Sequence, residues 1–160
     1  MSSITDAMVL KHLKPLPNLK VLDISNCYET THKGIATFGK HCRSLVHLKR
    51  NMSPLFNGEY SPIDDSEAKA IAATMVGLQH IELRCGRFSD LGISEMVTKC
   101  KSLSHFYIDW SRNVELGGDL MEKCERLEVF QGPWYYYSDD DEYFYVSEGS
   151  DEIDSDSTSD

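Results

Sequence analysis

No run of about 18 apolar residues occurs in the 160-residue sequence, so no transmembrane helix is expected. The start, Met1-Ser-Ser-Ile-Thr-Asp6, has neither the basic nor the apolar region of a secretory signal. There is no glycine-rich phosphate loop, no Cys-x-x-Cys pair and no helical His-Glu-x-x-His. Ser, His and Asp all occur, but nothing in their order suggests a nucleophile elbow. These absences argue against an enzyme and give no catalytic, cofactor-binding or metal-binding residue to nominate. Excess basic charge is also missing. From Ser138 onward there are ten Asp or Glu and no Lys or Arg, so the −10 net charge belongs to the tail and the body is formally neutral. A neutral body offers no basic footprint for nucleic acid. The five cysteines are an odd number, which does not suit a disulfide framework. Reduced thiols fit a cytoplasmic or nuclear protein.

What is present is a repeat. First apolar anchors fall at Leu19, Leu45, Leu78, Leu103 and Leu127, at intervals of 26, 33, 25 and 24 residues. Three of the four intervals lie in the range of about 20–29 residues expected of a leucine-rich repeat. Second anchors, three residues on, are Leu22, Leu48, Ile81, Phe106 and Phe130, all apolar. Third anchors are Ile24, Arg50, Leu83, Ile108 and Gly132, a weaker column. Cys42, Met75, Cys100 and Cys124 stand three residues before the anchors from the second on, and Ile35, Ala68, Ile93 and Gly117 stand seven before those. Three cysteines in one column want a small buried side chain.

Such a unit has one apolar strand face and one apolar helix face, and buries them only by stacking on its neighbours. The expected fold is an α/β leucine-rich-repeat solenoid of four to five repeats, with parallel strands on the concave face and helices on the convex face. Period-2 alternation turns Leu22 and Ile24 inward and Val21, Asp23 and Ser25 outward. Residues 1–18 read as the helical half of a partial repeat, with Thr5 or Asp6 as its cap. Residues 19–137 read as the repeat domain, and 138–160 as an acidic, Ser-rich tail that cannot bury enough apolar surface to order itself. Beginning mid-repeat suggests a fragment, a truncated product, or a chain whose first helix caps the core. Asp64, Asp65 or Ser66 is expected to cap the Ala-rich helix, and Trp134 to Tyr137 to fold over the last core layer.

The outward face is the candidate for recognition. Its positions include Asp23, Ser25, Lys49, Asn51, Glu82, Arg84, Tyr107 and Asp109. Mixed charge with an aromatic suits a protein partner, where Tyr and Arg tend to anchor. His47, His80 and His105 share one column on neighbouring strands about 4.8 Å apart. They read as a pH-sensitive patch, a metal site, or a polar and partly stacked ladder. The ladder is preferred because no Cys or carboxylate completes a ligand set in that column. The longest interval carries about eight extra residues within Met52–Ile63, punctuated by Pro and Asn-Gly as a loop. Its Phe56 and Tyr60 either touch a partner or pack the loop onto the rim. Arg50 is read as a distortion that launches this loop, in preference to a guanidinium placed to hold a carboxylate. The tail is a solubilising extension, a lid competing for basic partners, or a phosphorylated segment.

Ile4-Thr5-Asp6, Leu19-x-x-Leu22-x-Ile24-x-x-Cys27, Gly34-Ile35 and the pre-anchor Cys42, Cys100 and Cys124 resemble the cysteine-containing leucine-rich repeat. More narrowly, Leu22-Asp-Ile-Ser-Asn-Cys27, Leu48-Lys-Arg-Asn-Met52 and Leu120-Met-Glu-Lys-Cys-Glu-Arg-Leu-Glu-Val-Phe130 resemble plant F-box/leucine-rich-repeat proteins. That resemblance implies a protein substrate held by the repeats of an SCF-type ubiquitin ligase receptor. An adaptor is engaged only where an F-box stands upstream, and no catalytic residues carry over. The alternative is a stand-alone repeat protein or decoy that binds the same partner without recruiting a ligase. Neither reading involves a membrane, a nucleic acid or a cofactor.

Overall fold

A computed structural model describes residues 3–54 and 62–134. Five strands form one all-parallel sheet in chain order: β1 Val21–Asp23, β2 His47–Lys49, β3 His80–Glu82, β4 His105–Tyr107 and β5 Val129–Gln131. Its register is the anchor register read from the sequence. Leu22 pairs with Leu48, Leu48 with Ile81, Ile81 with Phe106, and Phe106 with Phe130. Five helices complete the units: α1 Asp6–His12, α2 His32–His41, α3 Ser66–Thr74, α4 Asp90–Lys99 and α5 Leu120–Glu125. Each helix packs on the next. The protein is an α/β leucine-rich-repeat solenoid. No helix among the described residues is long and apolar enough to cross a membrane.

Strand and helix side chains meet in a single core. Leu48, Ile81 and Phe106 are fully buried, whereas Leu19, Leu127 and Phe130 at the two ends of the stack are only half-buried. Period-2 geometry sends every second strand residue into this layer and leaves the alternates on the open face. On the helical side, Val9, Ile35, Ala68 and Ile93 line one column, and Phe38, Ile71, Met96 and Leu120 form another about one turn closer to the next strand's start. Cys42, Met75, Cys100 and Cys124 are buried behind them, and all five cysteines are free thiols. Burial pushes the thiols of Cys85 and Cys100 up to about 11. Cys124 is pushed to about 12, by burial first and then by the charges of Asp90 and Glu125.

At the end of three strands the chain turns through a left-handed residue: Asn26 (φ 58°), Cys85 (φ 62°) and Trp110 (φ 66°). They occupy one repeat position, so the turn out of the sheet is built the same way each time, in a region that L-residues seldom visit. The helix starts are also repeated. Thr5 caps α1 through the Met8 N–H, Thr31 caps α2 through Lys33, and Ser89 caps α4 through Leu91. Asp64 plays this part for α3, accepting the Ser66 N–H at 3.0 Å, although the helix itself begins at Ser66.

A carboxylate ladder beside the caps is invisible to apolar periodicity. Asp6, first residue of α1, accepts the N–H groups of Thr31 (2.8 Å) and Gly34 (3.0 Å) in the following unit. Asp65 accepts the Ser89 N–H (2.8 Å), and Asp90 accepts those of Glu115, Leu116 and Gly117 at 2.8–2.9 Å. The units of α1, α3 and α4 thus each satisfy otherwise orphaned donors before the helix of the next unit. His32 takes the corresponding place in α2. The glycines before the apolar column follow from this contact. A Cβ on Gly34 would lie 2.6 Å from Asp6 Oδ1, and one on Gly92 would lie 2.5 Å from Asp65 Oδ1.

Arg50 departs from the expectation of a distorted strand end. Its N–H bonds Glu82 O at 2.7 Å, and the β2–β3 register is regular. The side chain enters the core in the place of an aliphatic third anchor, 2% exposed. There it donates to the carbonyls of Ile24 (3.1 Å), Cys27 (2.8 Å) and Thr30 (2.6 Å). It also pairs through two nitrogens with both oxygens of Glu67 on α3, at 3.2 and 3.0 Å. A buried charge survives because every direction of the guanidinium fork finds an acceptor. The reading of Arg50 as a group that holds a carboxylate is the one the structure supports.

Trp134 is half-buried and packs on the last core layer, lying so close over Gly132 that an added Cβ would meet the indole at 2.4 Å. The rest of the expected aromatic cap, Tyr135 to Tyr137, lies outside the described residues, as do Phe56, Tyr60 and the acidic tail from Ser138.

Candidate functional site

The open face of the sheet is built from the residues that alternate with the buried anchors. Its first row is Val21, His47, His80, His105 and Val129, matched partner to partner by the parallel ladder. The second row is Asp23, Lys49, Glu82, Tyr107 and Gln131. Because neighbouring strands are in register, each row is a straight line of side chains across the sheet.

The histidines do stack. His47 and His80 have ring centroids 3.8 Å apart with 24° between planes, and His80 and His105 lie 5.3 Å apart at 8°. Tyr107 extends the stack diagonally, 5.3 Å from His80. Ser104 Oγ fixes His105 through Nδ1 at 2.8 Å.

The expectation that no carboxylate joins this column is corrected. Glu82 sits two residues after His80 on the same strand and therefore on the same face. Its Oε2 lies 3.1 Å from Nε2 of His80 and 3.3 Å from Nε2 of His47. Asn51 Nδ2 donates to the other oxygen, Oε1, at 3.1 Å. The donor atoms of His47, His80 and Glu82 all fall within 4.8 Å of one another. The column rule failed because it compared only equivalent positions, while the carboxylate comes from the adjoining row.

These contacts set the local electrostatics. Burial pulls His80 below the ordinary histidine value, the neighbouring His47 adds to that, and the Glu82 charge works against both. Burial alone would raise Glu82. Hydrogen bonds from Asn51 and His47, with the nearby Lys49, outweigh it and hold the carboxyl below its usual range. Asp23 shows the same contest at the edge of the row. Burial raises it, and the hydrogen bonds from Ser25, with Lys49 nearby, bring it lower overall.

Beyond the strand ends, a third row is knitted into the framework. Ser25 Oγ accepts the Asn51 N–H at 3.1 Å, and Asn51 Oδ1 accepts the Arg84 N–H at 3.0 Å. Arg84 Nε pairs with Asp109 Oδ1 at 3.0 Å, and its guanidinium carbon stands 5.5 Å from the Tyr107 ring centroid. Asp109 differs from the expectation of an outward side chain. It is 7% exposed, because it falls past the end of β4 at the left-handed turn through Trp110. Asp23, Lys49, Glu82, Arg84, Tyr107 and the three histidines thus share one face, while Ser25, Asn51 and Asp109 brace it. The arrangement supplies both charge signs, hydrogen-bond donors and acceptors, and an aromatic surface under a guanidinium.

Comparison with known proteins finds mainly plant F-box and F-box/leucine-rich-repeat proteins. The sequence is 33% identical over 131 residues to putative F-box/LRR-repeat protein 23 of Arabidopsis thaliana, covering 81% of this chain and 29% of that protein. It is 32% identical over 138 residues to F-box protein SKIP1 of the same plant, covering 79% and 45%. It is also 32% identical over 133 residues to antagonist of mitotic exit network protein 1 of Candida glabrata, covering 83% and 23%. The chain spans less than half the length of each of these relatives. No protein-family model matches it.

Proposed function

For a chain whose repeats belong with the plant F-box/leucine-rich-repeat proteins, we propose that the open sheet face holds a protein substrate for an SCF-type ubiquitin ligase. The observation that carries this reading is the straight row Asp23, Lys49, Glu82 and Tyr107, presented on a rigid parallel sheet. A partner's side chains would meet alternating charge and an Arg–Tyr pair there, a composition typical of interface anchors. In this role the chain selects and positions, and ubiquitin transfer is left to other subunits.

The second reading is a repeat protein or decoy that binds without delivering its partner to a ligase. Similarity to a fungal protein named for antagonism, and not for an F-box, supports it.

The test is capture of partners on the tagged native polypeptide, beside the variant Asp23→Arg/Lys49→Glu. The receptor reading expects an SCF adaptor in the complex. It also expects a second protein that is lost in the variant and accumulates when the proteasome is blocked. The same second protein without the adaptor selects the decoy. Capture that is indifferent to the variant rejects the open face as the recognition surface. The mass of the native polypeptide, compared with the 18.2 kDa of this chain, tells whether further segments accompany it.

A further inference from the structure

We propose that His47, His80 and Glu82 form a three-ligand zinc site on the open face of the sheet, with the fourth coordination position directed away from the core. The inference stands apart from the partner reading, since it concerns the isolated chain and the metal alone.

Three features of the structure support it. First, donor type and spacing match the ion. Zinc takes imidazole nitrogens and carboxylate oxygens at about 2.0–2.2 Å, and two donors on one tetrahedral ion are then about 3.3 Å apart. The two nitrogen–oxygen separations here are 3.3 and 3.1 Å, from His47 and His80 respectively to the same Oε2. Two imidazoles and one glutamate also form the donor set of open, three-ligand zinc sites in general.

Second, the ligands are held. Asn51 occupies Oε1 of Glu82 at 3.1 Å and leaves Oε2 for the ion. Such a second contact orients a carboxylate ligand and typically changes metal affinity about 10–100-fold. His47 and His80, stacked 3.8 Å apart at 24°, direct their lone pairs nearly parallel, so ligation of one ion by both needs the His47 ring to turn out of the stack. His105, stacked on the other side of His80 at 5.3 Å and 8°, holds the central ring in place. Strand pairing fixes the separation of His47 and His80 at the backbone.

Third, access is right. The side chains of His47 and His80 are 23% and 28% exposed and that of Glu82 is 15% exposed. The ion could therefore enter from solvent, while the buried core closes the other side. Water would hold the fourth position in the isolated chain, and an imidazole, thiolate or carboxylate from another molecule could replace it.

The experiment uses the full 160-residue chain, stripped with chelator and titrated calorimetrically with zinc chloride. One zinc per chain is expected, together with a higher melting temperature, because an ion that binds only the folded state stabilises it. Glu82→Gln and His80→Ala each alter a direct ligand and should weaken binding by more than the roughly 10–100-fold that changes to a ligand's outer partners cost. His105→Ala should leave it within about threefold, since that ring braces without ligating. Cobalt in place of zinc should give visible d–d bands and no thiolate charge-transfer band, which separates this site from the free cysteines. Melts of the metal-free variants check that each is folded, and His47→Ala stands in if His80→Ala is not. No zinc bound, binding undiminished in Glu82→Gln, or a thiolate band would each overturn the proposal.

Discussion

Arg50 Nη2 lies 3.0 Å from Glu67 Oε2, with the arginine 2% and the glutamate 22% exposed. The same guanidinium gathers the carbonyls of Ile24, Cys27 and Thr30, which close the turn of the preceding unit. Arg50→Met keeps the volume and removes all of these partners at once. It should destabilise the chain by about 3 kcal/mol, the scale of breaking one side of a buried pair. Glu67→Gln, which leaves the carbonyl contacts in place, should cost about 1 kcal/mol. Urea denaturation of both variants checks the ranking. Equal losses would mean that the ion pair, and not the carbonyl network, is what matters.

Gly92 offers a test of sign. In an ordinary helix, Gly→Ala stabilises by about 1 kcal/mol. At Gly92 the new Cβ would meet Asp65 Oδ1 at 2.5 Å and Ala68 Cβ at 2.8 Å. Overpacking on this scale costs about 1–3 kcal/mol, so Gly92→Ala should lower the melting temperature. A variant that melts higher than the parent would show that α3 and α4 can separate without loss.

The carboxylate ladder predicts an acid-sensitive fold. Burial raises Asp90, but the three backbone N–H groups outweigh it, and the group titrates below its ordinary value of 3.8. Asp6 behaves alike: burial raises it, and the hydrogen bonds from Thr31 and Gly34 lower it further than that. A depressed folded-state value means that this stability is fully present above the ordinary carboxylate range. It is lost as the pH falls through the folded-state values. Asp90→Asn should reduce the melting temperature by about 3 °C at pH 7, and the gap should narrow towards pH 3. Parallel curves for parent and variant across that range would refute a role for the charge.

Thiol reactivity should separate one cysteine from four. Cys27 is half-exposed, whereas Cys42, Cys85, Cys100 and Cys124 are buried. The last three have values pushed to about 11 or 12. A thiol needs to ionise and be reached before it reacts. A disulfide reagent should therefore modify one group quickly in the folded chain and five after denaturation. Rapid modification of more than one would mean that the repeat column opens readily.

The repeat, its register and the stacked histidines were legible in the sequence because each is a periodicity in residue type. Leu48, Ile81 and Phe106 announce their column, and His47, His80 and His105 announce theirs. What escaped notice were interactions between columns. Glu82 reaches the histidines from the next row, and Arg50 finds Glu67 across a long interval. The ladder through Asp6, Asp65 and Asp90 left a faint trace, since Thr5-Asp6, Asp64-Asp65 and Ser89-Asp90 each stand at the start of a helix. Polar pairs immediately before helices are common as caps, so the pattern did not reveal that the second member serves the neighbouring unit. Asp109 misled because alternation ends with the strand, and the left-handed turn that follows rotates its side chain inward.

The interval from Leu45 to Leu78 exceeds the next one by eight residues, yet β2 and β3 pair without a slip. Axial rise and contour length are thus separate variables in this chain. Sequence can be added between Met52 and Asp64 without altering the height at which the strands before and after it are stacked. An insertion of this length is absorbed between two units while the stack keeps its own spacing.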